Sequence, residues 1–243
     1  MQKVIIIGAT SGIGFELAKL YAQNDDMVGA TGRRNELLQK LKNLFPEQII
    51  VECFDVMGNE NILHLESLIK KLGGLDLLIY NSGYGDISEA LDWRIDERTT
   101  KTNVIGFVEV ANYAFNYFVN HGSGQIAATS SIASIRGSSQ APAYSASKAY
   151  MSTYMEGLHL KALRLKRKNQ KISISITDIQ PGFVNIKKAK GKGRFWEAPV
   201  EKAARQIFEA IQKKKRKVYV SRRWAIIAWI LKWLPYSILK RFA

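Results

Sequence analysis

Short apolar runs alternate with longer helix-patterned stretches along this chain, and that alternation restricts the fold more than any other feature. The first run is Val4-Ile5-Ile6-Ile7, β-branched throughout and too continuous for a strand with one wet face. Further strand-like runs stand near Met27–Thr31, Ile49–Phe54, Leu75–Tyr80, Gly124–Ser130, Ile172–Ile179 and Lys217–Ser221. Between them the spacing predicts helices over about Ile13–Asn24, Asn35–Leu44, Glu60–Lys71, Arg94–Val119, Tyr144–Lys168 and Val200–Lys213. Strands joined by helical crossovers lie parallel and bury both faces. The expectation is therefore an α/β chain with a doubly wound, seven-stranded parallel sheet in a three-layer α/β/α sandwich. Its 243 residues suit one such unit. The Lys- and Gly-rich stretch Asn185–Pro199 reads as a mobile loop within it.

Gly8-Ala9-Thr10-Ser11-Gly12-Ile13-Gly14 stands between the first strand and the first helix. Glycines here permit a tight reversal, a close backbone approach to a pyrophosphate, and tight helix–strand packing. The helix N-terminus adds unpaired N–H groups and a partial positive charge. The spacing Gly-x-x-x-Gly-x-Gly resembles the turn of the short-chain dehydrogenase/reductase family, a Rossmann-like fold. Further marks of that family follow in order: Asn81-Ser82-Gly83 with Tyr80 before it, Asn103, Ser131, Tyr144-Ser145-Ala146-Ser147-Lys148, and Pro181-Gly182.

Tyr144 and Lys148 are four residues apart, hence on one helix face. A nearby ammonium favours phenolate, so Lys148 is expected to draw the Tyr144 pKa down. Tyr144 then exchanges a proton with a substrate oxygen that Ser131 also hydrogen-bonds. By resemblance, Asn103 helps to fix a water linking Lys148 to solvent. The resemblance also implies that Gly8, Thr10, Ser11, Gly12, Ile13, Gly14, Asp55, Val56, Asn81, Ser82, Gly83, Pro181 and Gly182 line the dinucleotide together with Tyr144 and Lys148. The activity it implies is hydride transfer between nicotinamide and a carbonyl or alcohol, in a homodimer or homotetramer. The alternative is a catalytically silent dinucleotide-binding regulator of the same fold.

After the second strand comes Thr31-Gly32-Arg33-Arg34. A carboxylate that would bond the adenosine ribose hydroxyls of NAD is missing, and Gly32 holds its place. Arg33 and Arg34 offer planar donors suited to the 2′-phosphate of NADP (NADPH), although Arg34 equally suits a solvated charge leading the next helix. Where the family often has threonine after Pro-Gly, this chain has Ile186, with Asn185 as a substitute amide. The basic stretch that follows, ending in Phe195-Trp196, suits either a solvated lid or an anionic substrate.

Charge is uneven. Residues 1–160 hold 13 Lys/Arg against 17 Asp/Glu, whereas residues 161–243 hold 23 against 4. Residues 1–221 are read as the α/β domain and 222–243 as a basic, tryptophan-rich segment. Trp224–Leu234 contains one charge, Lys232, and is too short for the ~20 residues of a span. It suits a helix lying in a membrane interface, or one that packs over the substrate cleft or at a subunit interface, and both together would let an apolar, lipid-like substrate enter from a bilayer. Basic charge without a reading motif gives no expectation of nucleic acid. A lone Cys53, read as a small core residue, and an opening run too short for a secretory segment point to the cytoplasm, with membrane association at its face left open. The scattered His64, His121 and His159 suggest no metal.

Overall fold

The computed structural model describes residues 1–87, 89–185 and 196–240. Its centre is a seven-stranded parallel sheet in the order β3-β2-β1-β4-β5-β6-β9. The strands are β1 (Lys3–Ile7), β2 (Met27–Gly32), β3 (Ile49–Cys53), β4 (Leu77–Tyr80), β5 (Ser123–Thr129), β6 (Ser173–Pro181) and β9 (Lys217–Val220). The helices are α1 (Gly12–Gln23), α2 (Asn35–Leu44), α3 (Asn61–Leu72), α4 (Trp93–Thr100), α5 (Gly106–His121), α6 (Pro142–Lys168), α7 (Val200–Gln212), α8 (Trp224–Trp233) and α9 (Tyr236–Leu239). A small second sheet pairs β7 (Val184–Asn185) with β8 (Ala198–Pro199). The doubly wound α/β sandwich expected from the alternation is the fold observed.

Each strand feeds two cores, because successive side chains leave opposite faces. Val4 and Ile6 of β1 pack with Leu17, Tyr21, Ile207 and Ile211 on one side. Ile5 and Ile7 pack with Leu68, Phe107, Phe118 and Met151 on the other. All four strand residues are fully buried, which explains why this run does not alternate with polar residues.

The helix expected over Arg94–Val119 is present, running unbroken from α4 into α5, with Lys101–Ile105 as a π-helical turn within it. Two local expectations need correction. The ends of the Asn185–Pro199 stretch are paired strands rather than loop, and residues 186–195 lie outside the described residues. Cys53 is exposed, not core, since it ends the strand at the sheet's edge.

Candidate active site

The polar residues singled out by sequence gather at the carboxyl ends of β1, β4, β5 and β6. At the β1–α1 turn the backbone is packed without room for side chains. A Cβ on Gly8, whose φ is +91°, would stand 2.7 Å from the Ser82 amide nitrogen. One on Gly14 would run into the Gly8 carbonyl and stand 2.6 Å from Asn81 Nδ2. Asn81 laces these loops: Nδ2 donates to the Gly8 carbonyl (3.1 Å), and Oδ1 accepts from Thr129 Oγ1 (3.1 Å). Ser11 starts α1 without a side-chain capping bond, and no acidic residue stands in the first turn. That helix end keeps its field for an external anion.

The two arginines converge beside this turn. Arg34 Nη2 donates to Thr10 Oγ1 (2.7 Å) and Ser11 Oγ (2.8 Å). Arg33 Nη1 lies 3.4 Å from Asp55 Oδ2. A Cβ on Gly32 would approach Thr10 Cγ2 to 2.5 Å, so a side chain at position 32 would have to displace the Thr10 methyl. Ile13 and Val56 are largely buried in the two cores, at 5% and 7% exposure.

Ser131 follows β5, and Tyr144 and Lys148 stand in the first turns of α6, which opens on Pro142. Ser131 Oγ accepts from the Ala133 amide (3.1 Å), and the Ser131 side chain hydrogen-bonds the Tyr144 hydroxyl. The Tyr144 ring is packed face against Gly85. Lys148, 4% exposed, donates from Nζ to the Thr129 carbonyl (2.8 Å), and Nζ lies 5.8 Å from the centre of the Tyr144 ring. The electrostatic expectation is overturned here. Burial pushes the Tyr144 hydroxyl above its usual range, and only the Ser131 hydrogen bond opposes it. The Lys148 ammonium is turned to the β5 carbonyl, and burial pushes it down to about 8.

Asn103 sits fully buried in the π-turn. Its Oδ1 accepts from the Tyr84 amide (2.9 Å), while Nδ2 donates to the Tyr84 carbonyl (2.7 Å) and to Ser147 Oγ (2.9 Å). The side chain therefore clamps the β4 loop to α6, a role the sequence did not suggest. Tyr80, standing where the family has asparagine, donates its hydroxyl to the Thr102 carbonyl (2.6 Å) and holds the π-turn against the sheet. Insertions of this kind recur at functional sites.

A family model described as short chain dehydrogenase matches residues 2–195. The chain belongs to the short-chain dehydrogenase family. It is 32% identical over 189 residues to an uncharacterised oxidoreductase of Myxococcus xanthus, covering 75% of this chain and 72% of that one. It is 29% identical over 185 residues to an uncharacterised oxidoreductase of Staphylococcus aureus, covering 74% and 77%. Among solved structures, it resembles a 3-ketoacyl-(acyl-carrier-protein) reductase from Brucella melitensis complexed with NADH. The TM-score is 0.78 at 18% identity, over 91% of this chain and 98% of that one. It also resembles ElxO with NADP bound, at a TM-score of 0.76 and 20% identity over 93% and 99%.

Two features of this short-chain dehydrogenase were not legible as site features. The first is a buried acid behind Lys148. Asp178 (3% exposed) accepts from Ser130 Oγ (2.5 Å), Ser152 Oγ (2.7 Å) and Gln180 Nε2 (2.8 Å), and Lys217 Nζ lies 3.5 Å away. Its charge partly offsets the fall in the Lys148 pKa. β-strand alternation placed Asp178 on an apolar run, and nothing local marked it.

The second is the seat of α8. Pro181 ends β6, and the Gly182 amide donates to the Val220 carbonyl (2.6 Å). The Trp224 indole lies directly on Gly182, where any Cβ would collide with the ring, and Phe183 meets it edge-on at 5.4 Å. At the other end, Arg136 of the Ser131–Tyr144 connection donates to the carbonyls of Leu231 (2.8 Å), Lys232 (3.0 Å) and Leu234 (3.0 Å). Asn185, the expected substitute amide, is exposed in β7. Ile186 and the basic stretch through Phe195 lie outside the described residues, and Trp196 stacks with Arg223, at 5.9 Å from its guanidinium carbon.

Proposed function

We propose that this chain is an NADP(H)-dependent oxidoreductase acting on a carbonyl/alcohol pair of an apolar, lipid-like small molecule. The observation that carries the reading is the joint placement of Ser131, Tyr144 and Lys148 beside the glycine turn, at the carboxyl ends of parallel strands. Fit to the dinucleotide rests on this chain's own donors. The Gly8–Gly14 turn excludes side chains where a pyrophosphate needs backbone. Arg33 and Arg34 supply two guanidinium groups beside position 32, where glycine provides no carboxylate. That combination favours a 2′-phosphate over a free ribose.

When bound, nicotinamide supplies or accepts the hydride. The protein's part is proton transfer and orientation. Burial keeps Tyr144 as a neutral phenol at neutral pH, which suits an acid that protonates the oxygen of a carbonyl being reduced. Ser131 donates to the same oxygen and holds it in the plane of attack. Lys148, through its charge, eases the return of a proton to Tyr144 from solvent. Asn103 holds the Tyr84–Gly85 backbone against the Tyr144 ring, so the phenol keeps one orientation. Residues 1–221 carry this machinery, working as a homodimer or homotetramer.

The test is a panel of steroids, long-chain ketones, 3-oxoacyl thioesters and sugars, scored by loss of NADPH absorbance. Tyr144→Phe is the control. Turnover on an apolar member that the variant abolishes supports the reading. NADPH binding without turnover on any member would favour the silent dinucleotide-binding protein instead.

A further inference from the structure

We infer that α8 and α9 form a docking face for the surface of an anionic lipid bilayer. The inference stands on the tail's own surface and does not depend on the proposed reaction.

Helix α8 is apolar on two sides. Trp224 and Ala228 point into the protein, at 6% and 1% exposure. Ile226, Trp229, Ile230 and Trp233 recur at the spacing of a single helix face and point out, with Trp229 at 65% and Trp233 at 74%. Tyr236 and Ile238 of α9, next in the chain, are exposed as well. Scattered apolar residues on a surface need no explanation, but a contiguous face of this kind does.

The surroundings of the strip select its occupant. Arg222 and Arg223 precede α8, Lys232 lies within it, and Lys240 follows α9. At the foot of α8 a recess of about 190 Å³ is lined by Lys213, Lys215, Lys217 and Arg222, with Glu209 its one carboxylate. The sequence has no Asp or Glu after Glu209. Tryptophans and aliphatic residues in a belt flanked by cations match a helix lying in the headgroup region, with the recess placed to receive a lipid phosphate. A two-fold contact with a second copy through this face would bring the flanking cations of both copies together, and among the described residues only Arg222 of the four has a carboxylate beside it, Glu209 at 3.7 Å. Among the described residues no helix is long and apolar enough to cross a membrane, so the contact is with the surface.

The platform is held firmly. Trp224 sits on Gly182 at one end, and Arg136 binds three carbonyls at the other. Both anchors belong to segments that leave β5 and β6 at the candidate active site. A bilayer docked here lies against the side of the protein where Ser131 and Tyr144 stand.

The experiment is co-sedimentation of the full chain with phosphatidylcholine vesicles, with and without phosphatidylglycerol, while following tryptophan emission. Expected are binding to the anionic vesicles, a blue shift in emission, and release at high salt. Trp229→Ser with Trp233→Ser should weaken binding by roughly tenfold or more. Lys213→Gln with Lys215→Gln should weaken it by roughly fivefold per charge, on anionic vesicles alone. Thermal unfolding and NADPH affinity check that both variants fold. Absence of binding by the parent overturns the inference, as does binding that the tryptophan pair leaves unchanged. Self-association that is lost in the tryptophan variant, without vesicle binding, overturns it in favour of a second copy. Equally tight binding to duplex DNA that survives the tryptophan substitutions overturns it in favour of a general polyanion surface. Vesicle binding without turnover leaves the docking face standing, and turnover without vesicle binding removes the docking face alone.

Discussion

Lys148 and Thr129 are joined across the sheet edge by a hydrogen bond in which the buried ammonium donates to the last carbonyl of β5 at 2.8 Å. One carbonyl and a methionine sulfur at 3.5 Å are poor replacements for water around a full charge. Desolvation accordingly outweighs the attraction of Asp178, and the group's pKa falls from 10.5 to about 8. Unfolded, the same amine keeps its proton to a higher pH.

The sign of the stability effect follows from that difference. Between about pH 8 and 10.5 the unfolded chain holds the extra proton, so this group's contribution to stability rises with pH across that window. Lys148→Met removes the linkage. Relative to the variant, the parent should gain up to ~3 kcal/mol between pH 8 and 10.5, measured by urea unfolding at both pH values. A constant difference between the two proteins would contradict the buried ammonium.

On the proposed reaction, the same group should set an alkaline limit on reduction. Tyr144 stays protonated well beyond neutral pH, so loss of the Lys148 charge near 8 comes first. The pH profile of kcat/KM for carbonyl reduction should be level below that value and decline above it. Lys148→Arg, where it retains activity, should move the decline upward, because a guanidinium keeps its charge.

Arg34 bridges two hydroxyls of the glycine turn, and on the proposed reading it also receives the 2′-phosphate. Arg34→Ala should weaken NADPH binding by roughly 10- to 100-fold, the worth of a charge-assisted hydrogen bond, while leaving NADH affinity nearly unchanged. Arg33→Asp should narrow or reverse the preference, since it also sets a second acid beside Asp55. Fluorescence titration with both dinucleotides decides. Equal affinities in the parent would remove the NADP assignment.

Arg136 is the only described side chain seen bonding the carboxyl end of α8, with three carbonyls on one guanidinium. Arg136→Ala should raise hydrogen exchange selectively in residues 224–234 and lower thermal stability modestly, by about 1–3 kcal/mol. Exchange in β1 should not change, because its amides lie in the buried ladder between β2 and β4.

Much of the site was legible because its chemistry needs short, local spacings. Tyr144 and Lys148 share a helix face by arithmetic, and Gly8 and Gly14 sit where a strand must turn into a helix. What escaped were contacts made by residues far apart in the chain. Asp178 acts on Lys148 from β6 through its charge, Asn103 clamps Tyr84 through a π-turn that carries no composition signal, and Trp224 finds Gly182 only after the chain has passed through α7 and β9.

The order of apolar runs and helical stretches by itself determined the parallel sheet and the strand ends where polar residues collect. Side-chain periodicity follows from local backbone geometry, and that much is written along the chain. Direction and solvent exposure of each charge were decided only by the tertiary structure. The ammonium of Lys148 has a phenol four residues away, yet its charge is spent on a β5 carbonyl and its pKa is set by how much protein surrounds it. Desolvation depends on every neighbour at once, so no spacing rule can state it.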